Sequence, residues 1–102
     1  MSSNADVILD EKIKVKTREP KLCKVIFLND DTTPMDFVIS LLVNVFKHTE
    51  DNAMKLTMEI HTEGSGIAGV YTHEIAEQKA IESVGLSRQN GFQLQVKIEE
   101  DK

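Results

Sequence analysis

Asn29, Asp30 and Asp31 stand in a row directly after an apolar run, and Thr33-Pro34-Met35-Asp36 follows at once. The first three offer an amide oxygen and two carboxylates, and His61 further along adds an imidazole nitrogen. Clustered acceptors of this kind suit a small cation, either a metal ion or a protonated amine. An ammonium group brings three donors and one charge, so one carboxylate, one amide oxygen and one neutral imidazole nitrogen satisfy it. Thr33 to Asp36 reads as a capping box with Pro34 in the first helical position, where its missing donor costs nothing. A strand running into a capped helix would hold residues 29–31 rigidly at the lip of whatever lies beside that helix.

Other chemistries fit these residues less well. Asn29-x-Asp31-x-Thr33 echoes the D-x-D-x-T loop of haloacid-dehalogenase-like phosphatases, but Asn29 cannot form the acyl-phosphate that a carboxylate nucleophile forms. Asp30, Asp31 and His61, with His48 and His73 in reserve, lack the paired His or Cys spacing of a metal site. Gly64 and Gly66 are followed by no Lys-Ser or Lys-Thr, so they read as a turn and not a phosphate cradle. The sequence therefore leads us to expect no enzyme activity, no metal and no cofactor. The alternatives left for Asn29, Asp30 and Asp31 are an ammonium site and plain turn and cap duty.

The elements that must position these residues follow from pattern. The chain has 102 residues, 40% hydrophobic and 28% charged, with a formal net charge of -5. One domain is expected, and the acidic balance argues against nucleic acid as a partner. No apolar run reaches the ~20 residues of a membrane helix, and no export signal precedes the domain. Cys23, the lone cysteine, fits a reducing cytoplasm and a buried structural role. Residues 1–20 carry interspersed charges and only Val7-Ile8-Leu9 as an apolar stretch, which reads as a flexible N-terminal arm before a domain spanning residues 21–102.

Residues 22–28 read as a strand buried on both faces. Residues 35–46 read as a greasy helix whose polar stripe is Asp36, Ser40, Asn44 and Lys47. Thr49 caps a second helix with Glu50 and Asp51 in its first turn and Ala53, Leu56 and Ile60 on its inner face. Gly64, Gly66 and Gly69 turn the chain into a short strand, residues 67–71. Thr72 caps a third helix, with Ile75, Ala76, Ala80, Ile81 and Val84 inward and Gly85 at its end. Asn90-Gly91 marks a turn, and Phe92, Leu94, Val96 and Ile98 alternate as a last strand. The fold class expected is α+β: a small antiparallel three-stranded sheet packed by three helices, in the order β-α-α-β-α-β.

The run K-V-I-F-L-N-D-D-T-T-P-M-D-F-V at residues 24–38, Ile60-His61, the G-I-A-G-V-Y-T of residues 66–72 and the E-I-A-E-Q-K of residues 74–79 together resemble the ClpS family. The likeness covers roughly residues 22–99, with the motifs in order. It implies an adaptor that hands N-degron substrates to a ClpA-type AAA+ unfoldase of the Clp protease. By resemblance, Asn29, Asp30, Asp31 and His61 hold the substrate's free α-amino group. Thr33, Met35, Val38, Ile60 and Leu94 line the pocket for a first side chain of Leu, Phe, Tyr or Trp, with Met35 as the gatekeeper against β-branched residues. Glu74 and Lys79, with Tyr71 and Thr72 close by, match the face that docks on the unfoldase's N-terminal domain. The implied protein is a cytoplasmic monomer whose partners are that unfoldase and substrates with hydrophobic N-termini. The chain departs from the family pattern in three places: Thr32 where a bulkier residue such as Tyr is common, Thr57 where Met or another apolar residue is usual, and Gly91-Phe92-Gln93-Leu94 without the familiar proline. The alternative reading is a regulatory module that binds a protein through Glu74 and Lys79 without capturing N-termini.

Overall fold

A computed structural model of the chain describes residues 21–101. The expected arm, residues 1–20, lies outside the described residues. The elements are β1 (Leu22–Leu28), α1 (Met35–Asn44), α2 (Glu50–Glu63), β2 (Ser65–Thr72), α3 (His73–Gln89) and β3 (Gln95–Glu100). The order is β-α-α-β-α-β, and the sheet is antiparallel with strand order β2-β1-β3. This is the α+β architecture that the sequence predicts.

The most apolar strand becomes the central one. Cys23, Val25 and Phe27 alternate toward the helices and are 5%, 0% and 0% exposed, so β1 forms the floor of the core. Ile26 is buried on the opposite face, but Leu22, Ile67 and Val70 stay exposed there, so the double burial expected of β1 holds for its middle alone. Leu41, Leu42, Val45, Phe46, Ile60, Ala76 and Leu94 complete the cluster over β1. Phe27 and Phe46 meet edge to face at 5.3 Å, which fixes α1 against the sheet. β2 carries one extra residue opposite Val25 and Ile26, a bulge at Ala68.

Local signals set most boundaries, and the exceptions have physical causes. Thr49 caps α2, its hydroxyl accepting from the Asn52 N–H at 3.1 Å. At α1 the expected capping box does not form. Pro34 itself is the N-cap in an extended conformation, its carbonyl accepting from the Phe37 and Val38 N–H groups, and no side chain caps the helix. The inner face of α3 is also rotated from the expected one. Ala76, Ser83 and Ser87 are buried, while Ile75 and Ile81 are 46% and 67% exposed. Small residues let this helix approach the sheet closely, and the serine hydroxyls are satisfied locally: Ser83 donates to the Lys79 carbonyl at 2.8 Å, and Ser87 accepts from the Leu94 N–H at 3.1 Å. Gly85 does not end α3, which runs on to Gln89. The last strand starts at Gln95, so Phe92 and Leu94 belong to the loop before it.

Candidate functional site

The loop of residues 29–34 leaves the end of β1 and crosses to α1. Its first anchor is a backbone bond from the Asn29 N–H to the Gly64 carbonyl at 2.9 Å. Gly64 is the C-cap of α2, at φ 93, and its own N–H returns to the Ile60 carbonyl at 2.9 Å. A left-handed backbone costs glycine little and most other residues more, so this position suits Gly. Asn29 is thereby tied to the helix end whose last turn carries Ile60 and His61. The carbonyls at that helix end add partial negative charge to a region already holding Asp30 and Asp31.

The second anchor is made by Thr32. Its N–H donates to Asp30 Oδ2 at 3.0 Å and its hydroxyl donates to the same oxygen. The hydroxyl also accepts from the Gln93 N–H at 2.9 Å, stitching the loop to the segment before β3. Partial burial acts to raise the Asp30 carboxyl, but hydrogen bonding from Thr32, with Thr33 close by, prevails and leaves it below its ordinary value of 3.8. The Thr33 hydroxyl is itself buried and makes no hydrogen bond of normal geometry. Asn29, Asp31 and His61 are exposed.

The apolar residues singled out beside them come from two helices and two loops. Val38 of α1, Ile60 of α2 and Leu94 before β3 are 6%, 4% and 1% exposed and belong to one cluster. Thr33 is half-buried, and Met35 at the start of α1 is 38% exposed. Thr57, also flagged in the sequence, is buried with its hydroxyl donating to the Ala53 carbonyl at 2.7 Å. Phe37 and Phe92 stack edge to face at 5.1 Å and brace α1 against the loop that carries Leu94. A separate groove of about 470 Å³ lies between α1 and α2, lined by Asp36, Ile39, Ser40, Val43, Asn44, Glu50 and Met54; it takes up most of the polar stripe of α1.

The residues assigned to partner docking lie at the other end of α1. Tyr71 and Thr72 close β2, and the exposed Glu74 opens α3. Lys79 is half-buried and donates to the Val45 carbonyl at 2.7 Å, with its ammonium 5.5 Å from the Tyr71 ring centroid. Burial pushes the Tyr71 phenol above its ordinary value. His48 Nε2 donates to the carbonyl of the bulged Ala68 at 2.6 Å, which gives that histidine a structural partner. Among the described residues no three His, Cys, Asp or Glu side chains gather as a metal site, and no helix is long and apolar enough to cross a membrane. Sequence reasoning passed over the Lys79–Val45, His48–Ala68 and Thr32–Gln93 contacts, because each joins positions far apart in the chain with no local signal.

The family model of the ATP-dependent Clp protease adaptor protein ClpS matches residues 18–97. The chain belongs to the ClpS family. It is 47% identical over 88 residues to the ATP-dependent Clp protease adapter protein ClpS of Campylobacter jejuni, covering 86% of this chain and 92% of that one. The Clostridium acetobutylicum adapter is 46% identical over 93 residues, covering 89% of this chain and 92% of the relative. A solved structure of Agrobacterium tumefaciens ClpS2 bound to L-phenylalaninamide matches 81% of this chain and all of its own at 41% identity and a TM-score of 0.78. A ClpS adaptor serves the Clp protease and is not itself the protease.

Proposed function

We propose that this chain captures the free α-amino group and bulky hydrophobic first side chain (Leu, Phe, Tyr or Trp) of substrate proteins and delivers them to a ClpA-type AAA+ unfoldase. The observation that carries this reading is the Asn29–Gly64 bond, which sets the acceptor loop against the last turn of α2 and the Ile60 end of the apolar cluster. Asn29, Asp30, Asp31 and His61 accept from the ammonium group. Thr33, Met35, Val38, Ile60 and Leu94 receive the side chain, with the half-exposed Met35 at the mouth. The related ClpS2 bound to L-phenylalaninamide, a free amine beside a phenyl group, supports this ligand class. Tyr71, Thr72, Glu74 and Lys79 form the docking face for the unfoldase, and residues 1–20 engage it during delivery.

The energetics suit such a ligand. Burying a Leu or Phe side chain contributes about 1.5–3 kcal/mol, and each charge-assisted hydrogen bond adds about 1.5–3 kcal/mol before ordering costs. Their sum reaches the roughly -8 kcal/mol of micromolar binding when the acceptors are held in place beforehand. An acetylated or internal residue leaves the acceptors unpaired and loses most of it.

The test is fluorescence anisotropy with peptides beginning in free Phe or Leu, beside their N-acetylated forms. Binding confined to the free amines supports the reading; equal binding of both forms, or of neither, sinks it. Removing residues 1–17 is expected to leave peptide affinity intact and to slow degradation in an assay reconstituted with unfoldase and protease.

A further inference from the structure

Thr32 occupies an unusual position among the loop residues. Its hydroxyl has one proton, spent on Asp30 Oδ2, and a lone pair that receives the Gln93 N–H at 2.9 Å. The result is a relay, N–H to O–H to carboxylate, reinforced by the Thr32 N–H on the same carboxylate oxygen at 3.0 Å. On the far side of Gln93, α3 holds the next residue. Leu94 donates to Ser87 Oγ at 3.1 Å, and the Arg88 guanidinium donates to the Phe92 and Leu94 carbonyls at 3.1 Å each. One side chain thus spans from an acceptor of the site to the segment that supplies the buried Leu94 wall. We propose that Thr32 is a positioning residue: it orients the Asp30 carboxylate and fixes the Gln93–Leu94 segment, and through both it sets the affinity for a chain-terminal ammonium beside a bulky apolar side chain.

This inference rests on the ligand class proposed above, but its device is local to this chain. A tyrosine at this position has no hydroxyl on its β-carbon for either bond. Thr32→Val keeps the shape of the side chain and removes both hydroxyl bonds, whereas Thr32→Ser keeps them.

The experiment measures affinity for a free-Phe peptide by anisotropy in wild type, Thr32→Val, Thr32→Ser, Asp30→Asn and the Val/Asn double variant, with amide exchange followed at Gln93. Thr32→Val is expected to weaken binding about tenfold, the size of one misplaced charge-assisted hydrogen bond. Thr32→Ser is expected to recover to within about threefold of wild type. In the Asp30→Asn background Thr32→Val should cost about threefold instead of about tenfold, because the charge-assisted bond is gone and the route through the Gln93–Leu94 segment remains. Gln93 exchange should quicken in Thr32→Val and not in Thr32→Ser. Unchanged affinity in Thr32→Val, an undiminished effect in the Asp30→Asn background, or a loss that serine fails to rescue overturns the proposal. If wild type itself binds no free-amine peptide, the ligand reading fails and the affinity claim falls with it. Gln93 exchange then still decides whether Thr32 holds the segment.

Discussion

Asp30 is the acidic residue of the site whose ionisation the fold visibly favours. Its folded-state carboxyl lies below the ordinary value of 3.8 because Thr32 donates to the charged form. A carboxyl depressed on folding stabilises the native chain above its unfolded pKa, and that contribution disappears as pH falls through the folded value. Wild type should therefore lose part of its stability on acidification below about pH 4. Asp30→Asn, which accepts from Thr32 without titrating, should lose less; urea denaturation at pH 6 and pH 3 compares the two. An identical acid response in both chains would remove Asp30 from the account. At this scale the sequence was informative about residue type and mute about contact. Chemistry alone offered Asn29, Asp31 and His61 as acceptors beside a plain turn-and-cap reading, the resemblance added Asp30, and nothing in the chain pairs Thr32 with Gln93.

Elements show the same division more sharply. The Thr49 cap was legible because Thr, Glu and Asp in sequence satisfy donors and dipole of the helix they begin. Thr49→Ala should cost about 1 kcal/mol in urea denaturation. It should leave peptide affinity unchanged, since the site lies at the opposite end of α2. Gly66 is the contrasting case. A β-carbon there would sit 2.8 Å from Ile60 Cγ1 and 3.0 Å from Leu56 Cδ1, so β2 and α2 meet through its missing side chain. Gly66→Ala should destabilise by about 1–3 kcal/mol and weaken peptide binding as well, because the residue displaced is Ile60, proposed to line the pocket. A variant with full affinity and lowered stability would separate Ile60 from the pocket. The inner face of α3 was misread for a reason of equal generality. Hydrophobicity marks a buried face when apolar side chains fill it, but here Ala76, Ser83 and Ser87 are the buried positions while Ile75 and Ile81 stay exposed.

Across the whole molecule, α1 joins the two regions proposed to act. The acceptor loop enters its first turn, and Lys79 of α3 donates to the carbonyl of Val45, its C-cap. Lys79→Met keeps the aliphatic stem but leaves that buried carbonyl unpaired and removes the charge over Tyr71. A loss of about 1.5–3 kcal/mol is expected in urea denaturation, against less than about 1 kcal/mol for Glu74→Gln at the exposed start of α3. An unfoldase that docks on Lys79 competes with an intramolecular bond, so binding defects of Lys79 variants need a stability measurement beside them. Equal stability of wild type and Lys79→Met would show the cap to be energetically idle.

The central strand also gives the molecule an internal gauge. Cys23 is the chain's sole thiol, and it sits on β1 with both neighbouring strands in place. Its side chain faces the helices and is 5% exposed, so the sulfur meets an alkylating reagent when the helical layer lifts from the sheet. Its labelling rate under native conditions therefore measures how often the adaptor opens, with no dye or engineered tag to disturb either working surface.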